Sequence, residues 1–220
     1  MPRSASRTLT AQCGPQRKCH FVHRPVSRRQ APQASTFLHP STLNPQPCVQ
    51  VIVLGIDPGT ASTGYGVVKG DGLGLVSLVE CGVIHTRARD PLPARLQEIF
   101  DGVTELILRH RPDALSVEDI FYAKNVRTTV VLGHARGVVL LAGQQAGVEI
   151  YELPPAEIKK AVVGTGAATK EQVQFMLTRL LRLKSVPTPS DAADGVAAAL
   201  AFLMSARVPT IPGARARGRA

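Results

Sequence analysis

The feature that most constrains the fold is an apolar strand pattern that ends on a charged residue. The segment VIVLGID, residues 51–57, brings the carboxylate of Asp57 to the end of a run rich in Val, Ile and Leu. Such a run predicts a strand buried in a sheet. Either Asp57 forms the Asp-Pro-Gly turn that follows, or a cation offsets its charge.

The segments after this strand predict a mixed sheet. GYGVVKG and LVSLVECGVIHT are two more β-rich runs separated by Gly-containing turns, which is typical of an antiparallel meander. Apolar residues at helical spacing follow at 91–111. A short strand in DALSVEDIFY, a long helix in NVRTTVVLGHARGVVLLAGQQAG, a strand in VEIYELP and three helical segments complete the order. This order predicts an α/β fold with a five-stranded mixed sheet flanked by helices.

Charge and composition divide the chain into three parts. Residues 1–50 hold seven Lys or Arg and no acid, and residues 206–220 hold four Arg and no acid. Residues 51–205 therefore carry 15 basic and 16 acidic residues, so the net charge of +10 comes from the two ends. We predict a disordered basic arm at 1–50, one folded domain at 51–205 and a disordered Arg-rich tail at 206–220. A nucleic-acid surface in the domain requires local clustering of charge.

Three alternatives for the arm stay open. Its acid-free, Arg- and Ser-containing composition also fits a transit peptide. The natural start could instead lie further along, at Val49 or Val51. Four potential zinc ligands occur within eleven residues, although their spacing matches no standard zinc finger. They are Cys13, Cys19, His20 and His23.

The domain has no disulfide framework and no apolar run of a length that spans a bilayer. Cys81 is the one cysteine of residues 51–205, which indicates a reducing compartment. A membrane helix needs about 18 or more uncharged apolar residues in a row. We therefore expect a soluble protein of the cytoplasm with no membrane partner.

Four carboxylates occupy positions where the predicted elements can bring them together. Asp57 ends the first strand and Glu118 lies near the end of the fourth, with Asp119 pointing to the other face. Asp191 and Asp194 are three residues apart at the start of the last helix. The four converge if the two strands are neighbours and this helix packs across their ends. Taken singly, turn formation by Asp57 and helix capping by Asp191 and Asp194 are the ordinary alternatives.

Convergent carboxylates point to hard divalent cations. Their mutual repulsion raises their pKa values unless cations neutralise them. Ligand sets made only of oxygen suit Mg²⁺ or Mn²⁺, and two such ions about 4 Å apart can clamp the attacking and leaving oxygens of a phosphodiester. The set therefore predicts a site for hard divalent cations.

Four longer motifs, in this order and spacing, carry a family resemblance. They are GIDPGTASTGYGVV, VEDIFYAKNVRTTVVLGHARG, IKKAVVGTGAATKEQV and PSDAADGVAAAL. Together they closely resemble the RuvC family of Holliday-junction resolvases over about residues 51–204. The resemblance implies a ribonuclease-H-like fold, a homodimer, and a crossover junction endodeoxyribonuclease that uses Mg²⁺ to cut two opposed strands of a four-way DNA junction. It also implies work beside the RuvA and RuvB branch-migration complex.

The resemblance also implies roles for individual residues. Asp57, Glu118, Asp191 and Asp194 match the acids that bind two metal ions per subunit, for which Mn²⁺ substitutes. Lys159 and Lys170 match basic residues that engage the DNA backbone, and Phe121 matches an aromatic residue that stacks on a base. From the residues alone, a solvated basic loop and a core position for Phe121 stay open.

The long helix bears on assembly, and two rival functions stay open. Apolar residues cover most of its circumference, and Gly133 and Gly137 allow close approach at one-turn spacing. One face can pack in the core and another on a twofold partner, although a helix buried within one chain fits nearly as well. GIDPGT also resembles the phosphate-binding turn of the actin and sugar-kinase group, whose members need a far longer chain. A junction-binding module without catalysis is the other alternative.

Overall fold

The computed structural model describes residues 50–71, 74–119 and 126–205. The predictions for the arm, for Phe121 and for the tail at 206–220 fall outside these residues, apart from Gln50, and stay predictions. The described elements follow the predicted order. They are β1 (Val51–Asp57), β2 (Ser62–Gly70), β3 (Val76–His85), α1 (Leu92–His110), β4 (Ala114–Glu118), α2 (Val126–Gln145), β5 (Glu149–Leu153), α3 (Pro155–Val163), α4 (Lys170–Leu180) and α5 (Ser190–Met204).

The strands form one mixed sheet in the order β3-β2-β1-β4-β5. β1, β2 and β3 make the predicted antiparallel meander, and β4 pairs in parallel with both β1 and β5. The mixed five-stranded sheet and the pairing of the first and fourth strands are therefore confirmed. Ile56 lies opposite Val117 in the parallel pair. Because the next residues are Asp57 and Glu118, the two acids leave the same edge of the sheet side by side.

Helices cover both faces of the sheet, and the alternation along β4 sets which face each residue meets. Leu115 and Val117 pack with α1 and α2 on one face. Ser116 points to the other face, where its buried hydroxyl donates a hydrogen bond to the carbonyl oxygen of Ala198 in α5, at 2.9 Å. Glu118 has the same parity as Ser116, so it emerges on the side of α5.

α5 lies directly on the backbone of β1 and β2. Its Ala-rich sequence is buried over nearly its whole length. A Cβ atom added at Gly55 would lie 2.2 Å from the carbonyl oxygen of Gly195, and one added at Gly64 would lie 1.8 Å from that of Asp191. Only glycine permits such close approach of two backbones. The contact fixes the first turn of α5 beside the end of β1, where Asp57 lies.

α2 buries one side against the sheet and leaves another apolar side open. Ala135, Val139 and Ala142 are buried, whereas Val130 and Leu141 expose 52% and 49% of their surface. Among the helices of the described ranges, none is both long and apolar enough to cross a bilayer. The open apolar side of α2 therefore needs another explanation.

Candidate active site

A cavity of about 210 Å³ opens where β1 and β4 end and α5 begins. Three of the four predicted acids meet there, together with both predicted lysines. α3 contributes Lys159, and the first residue of α4 is Lys170. Apolar side chains form the rest of the wall. The lining residues are Asp57, Glu118, Pro155, Ile158, Lys159, Lys170, Val173, Asp194 and Ala197.

Burial and mutual repulsion make two of these acids weak. Burial is the main cause that raises the pKa of Asp57 to about 7, with the charges of Asp194 and Asp191 contributing to the rise and the charge of Lys170 opposing it. Burial likewise raises the pKa of Glu118 to about 8, with Asp57 and Asp194 adding to the effect and the two lysines opposing it. An added cation would relieve this repulsion, because it favours the ionised form of both acids.

Lys170 is held at the mouth of the cavity by the start of α4. The Thr169 side chain accepts a hydrogen bond from the backbone N–H of Gln172, and the Gln172 side chain accepts one from the backbone N–H of Thr169, which is a capping box. The Lys170 ammonium then donates to Asp194 Oδ2 at 2.7 Å. This hydrogen bond raises the pKa of Lys170 above its ordinary value. A cation bound by all three acids would share Asp194 with Lys170 or displace it.

Asp191 does not line the cavity. Its carboxylate accepts a hydrogen bond from the Ser190 hydroxyl at 3.3 Å, yet it lies near enough for its charge to raise the pKa of Asp57. The capping alternative for Asp191 and Asp194 is not observed, because Pro189 is the N-cap of α5 and no side chain caps the helix. The role of Asp191 as a ligand stays a prediction.

The donor chemistry of the cavity fits a hard divalent cation. Its acids offer only carboxylate oxygens, and two of them have pKa values near neutrality. As the side chains stand, no three His, Cys, Asp or Glu residues in the described ranges are grouped closely enough to hold an ion. Coordination of an ion by Asp57, Glu118 and Asp194 therefore requires side-chain movement. In particular, Asp194 has to leave its ion pair with Lys170 or share its carboxylate between Lys170 and the ion.

Comparison with known proteins identifies the family. A family model described as "Crossover junction endodeoxyribonuclease RuvC" matches residues 53–202. The chain belongs to the RuvC family. The match spans every described strand and helix except the first residues of β1 and the last of α5.

Curated RuvC proteins and solved RuvC structures agree with this assignment. The chain is 47% identical over 162 residues to the RuvC of Rubrobacter xylanophilus, covering 74% of this chain and 90% of that one. It is 47% identical over 153 residues to the RuvC of Chloroflexus aggregans, covering 70% and 93%. A structure of Thermus thermophilus RuvC in complex with a Holliday junction substrate matches with TM-score 0.69 and 38% identity, covering 73% and 97%. The predicted ribonuclease-H-like fold is thereby confirmed.

A more distant structure shares the fold alone. The yeast mitochondrial Holliday junction resolvase Ydc2 matches with TM-score 0.53 at 14% identity, covering 70% of this chain and 78% of that one. The RuvC-like sheet and its flanking helices thus persist where few residues are shared. Roles for individual side chains in this chain must come from its own geometry.

One residue that supports the RuvC-like site carried no sequence signal. Arg136 of α2 forms ion pairs with Asp119, at 3.0 Å, and with Glu152 of β5. Asp119 directly follows Glu118 and lies on the opposite face, as predicted. Arg136 therefore ties together the ends of β4 and β5 behind the cavity. Arg136 is one of two arginines in this long apolar helix, and no spacing sets it apart from Arg127, so sequence patterns miss it.

The pKa values predict how the stability of the metal-free protein depends on pH. We expect its free energy of unfolding to fall as pH rises from about 5 to about 8. Asp57 and Glu118 titrate at about 7 and about 8 in the folded chain, above the ordinary values of 3.8 and 4.5. Between about pH 5 and about pH 8 the folded chain holds more protons than the unfolded chain, so raising the pH favours unfolding.

Urea unfolding in EDTA at the two ends of this range measures the effect. The combined variant Asp57→Asn and Glu118→Gln is the control, and we expect its midpoint to depend less on pH than that of the parent. Added Mg²⁺ should also flatten the dependence of the parent. A parent midpoint that rises or stays constant with pH would contradict the assignment.

Proposed function

We propose that this chain is a structure-selective endodeoxyribonuclease that resolves four-way DNA junctions in recombination and repair. It makes paired, symmetric cuts by metal-dependent hydrolysis. Membership of the RuvC family supports the reaction class. The observation that carries the proposal is the single cavity in which Asp57, Glu118 and Asp194 face Lys159 and Lys170.

The cavity residues have complementary parts in this reaction. Asp57, Glu118, Asp194 and Asp191 would hold two Mg²⁺ ions per subunit, or Mn²⁺, which would activate water and offset charge on the phosphate. β1 and β4 fix the backbone positions of Asp57 and Glu118, so only side chains need to move for these acids to bind the ions.

The two lysines act on the DNA itself. Lys159 and Lys170 place positive charge beside the phosphodiester and orient its backbone. Water attacks the phosphorus in line, the bond to the 3′ oxygen breaks and that oxygen takes up a proton. The products keep a 5′ phosphate and a 3′ hydroxyl, so the nick can be ligated.

A synthetic four-way junction tests this proposal against its two rivals. We expect nicks at symmetric positions on two opposed strands with Mg²⁺ or Mn²⁺, no nicks in EDTA, and much slower cutting of a linear duplex of the same sequence. Junction binding without nicking in any divalent cation would favour a binding module. ATP turnover without nicking would favour a protein of the actin and sugar-kinase group, which binds ATP.

Paired cutting needs two active sites, and the open side of α2 offers a dimer surface. The groove between α1 and α2 is mostly apolar, with Gln97, His134 and Gln145 as its polar lining residues, and two glycines of α2 leave room for a close neighbour. It is lined by Leu96, Phe100, Val130, Gly133, Gly137, Val138 and Leu141, among others. We propose that a second copy of the chain packs here about a twofold axis, which places two active sites against a twofold junction.

Gly137→Leu is expected to convert the dimer into a folded monomer. A Cβ atom at Gly137 meets nothing within 4 Å in one chain, so the larger side chain is accommodated in the monomer. At a close helix contact, the same side chain would push the partner away. Sedimentation velocity should then report a monomer, and paired cutting should give way to single nicks.

Glu98→Leu is the matched control, since it adds an exposed leucine to α1 outside this groove. It should leave the sedimentation coefficient and the paired cuts unchanged. A Gly137→Leu variant that still sediments as a dimer would place the interface elsewhere.

Three further parts of the proposal follow from the family. The chain would act in the cytoplasm beside the RuvA and RuvB complex, and Phe121 would stack on a base near the exchange point. Phe121→Ala is expected to slow junction cleavage while leaving folding intact. Full cleavage by that variant would remove the stacking role.

A further inference from the structure

Positive charge in the folded domain is concentrated around α3 and α4. Residues 155–184 hold six of the fifteen Lys and Arg residues of 51–205 but only two of its sixteen acids. This segment therefore carries a net +4 within a domain of net −1. Lys159 and Lys170 account for two of the six and lie in the cavity. The remaining four extend beyond it.

The outward face of α4 carries an exposed aromatic residue next to part of this charge. Phe175 exposes 61% of its surface, while Val173 and Leu177 anchor the opposite side of the helix in the core. The guanidinium carbon of Arg179, one turn later, lies 5.8 Å from the centroid of the Phe175 ring. Arg182, which follows the helix, is also exposed. Stacking of this kind orders an arginine while leaving its N–H donors available.

These charges are not neutralised by neighbouring acids. Within the described ranges no carboxylate forms an ion pair with Arg179 or Arg182, whereas Arg109, Arg136 and Lys170 all have acidic partners. A basic surface without acidic partners complements a polyanion. The phosphate backbone of DNA is the polyanion that the proposed function brings to this part of the molecule.

The direction of α4 connects this surface to the active site. The helix begins at Lys170, whose ammonium reaches Asp194 in the cavity. With a rise of about 1.5 Å per residue, Arg179 lies about 14 Å further along the helix axis. DNA whose scissile phosphate occupies the cavity can therefore continue along the outer face of α4.

We propose that Phe175, Arg179 and Arg182 form an arm-binding strip that contacts the sugar-phosphate backbone of the duplex arm beside the cut. This inference rests on the proposed function and adds a second DNA contact outside the catalytic cavity. The strip fixes the orientation of the arm without reading its sequence, because backbone contacts carry no base information.

Junction binding measured over a range of NaCl concentrations tests the strip. The full chain is titrated onto a fluorescent four-way junction in EDTA, so that binding is observed without cleavage. We expect Arg179→Gln to weaken binding several-fold and to reduce the slope of log K against log[NaCl] by about 0.9, the value for one lost phosphate contact. Arg179→Gln combined with Arg182→Gln should roughly double the change in slope. Arg179→Lys, which keeps the charge, should restore most of the slope.

The controls separate the strip from general charge and from chemistry. Lys69→Gln removes an exposed cation opposite Ile52, at the end of the sheet away from Asp57, and should leave binding unchanged. Lys69→Gln should also keep the parental rate of cleavage with Mg²⁺ at saturating enzyme, because Lys69 lies outside both the strip and the cavity. Thermal unfolding verifies that the variants fold.

Two outcomes would overturn the strip. One is that the combined variant binds the junction with the affinity and salt slope of the parent. This includes a combined variant that binds the junction normally but no longer captures a protein such as RuvA or RuvB. The other is an equal loss of binding in Lys69→Gln. Failure of the parent to cut any junction with Mg²⁺ would instead refute the proposed function, and the binding series would still report on the strip.

Discussion

Asp57→Asn is expected to reduce junction cleavage by about 10³-fold or more and, at the same time, to stabilise the metal-free protein. A metal ion contributes several kcal/mol of transition-state stabilisation, and each 1.4 kcal/mol is about tenfold in rate. The loss follows because Asp57 is the partly buried acid that β1 brings to the cavity. The gain in stability follows because asparagine is neutral, whereas burial and neighbouring acids make the ionised form of Asp57 unfavourable.

Two measurements on the same preparation test both halves of this prediction. Single-turnover cleavage of a junction with Mg²⁺ gives the rate, and urea unfolding in EDTA at about pH 8 gives a stabilisation that we expect to be about 1 to 3 kcal/mol. Asp101→Asn, on α1 across the sheet, is the matched control and should keep the parental rate. An Asp57→Asn rate within tenfold of the parent would exclude Asp57 from the catalytic site.

Gly64→Ala is expected to destabilise the chain by about 3 kcal/mol and to abolish most cleavage, although residue 64 carries no functional group. The added Cβ would lie 1.8 Å from the carbonyl oxygen of Asp191. Both atoms belong to packed backbone, so the contact is relieved only by moving the start of α5 away from β2. That movement would carry Asp191 and Asp194 away from Asp57.

The same substitution elsewhere shows whether close approach is the cause. Gly70→Ala, further along β2, places a Cβ 3.2 Å from a methyl carbon of Leu203, and a small movement of that side chain relieves the contact. We therefore expect a loss of only about 1 kcal/mol and parental cleavage. Chemical unfolding and junction cleavage of the two variants give the comparison. Parental stability and cleavage in Gly64→Ala would mean that α5 does not rest on β2 in the way described.

Much of the fold and part of the site follow from local patterns. The alternation along β4 places Glu118 and Asp119 on opposite faces, and the structure pairs Asp119 with Arg136 behind the sheet. The apolar run at β1 predicts a buried strand with Asp57 at its tip. Asp57 and Glu118 then lie side by side if β1 and β4 are neighbours, which the topology confirms.

The parts that sequence patterns miss are set by contacts between distant residues. The Ala-rich pattern of α5 predicts a buried helix, but the contact of Asp191 with Gly64 decides where its first turn lies. The orientation of Asp194 depends on Lys170, which approaches from a separate helix. Arg136 acts through partners on two other elements. None of these contacts has a periodicity that a single segment can show.

The basic surface around α3 and α4 is another feature that the sequence alone does not place. The net charge of the whole chain reflects its two ends, whereas the basic residues of 155–184 become a surface only once α3 and α4 are placed beside the cavity. Local counts of charge identify the segment. The fold decides that part of it faces the active site and part of it faces solvent.

Acids from β1, β4 and α5 are proposed to act as one metal centre. A crystal of the full chain soaked in Mn²⁺, measured at a wavelength where manganese scatters anomalously, shows whether they do. We predict anomalous density in the cavity within about 2.0–2.3 Å of carboxylate oxygens of Asp57 and Glu118, with Asp194 released from Lys170 or shared with it. Density bound elsewhere, with the cavity acids unmoved in a protein that cuts junctions, would contradict it.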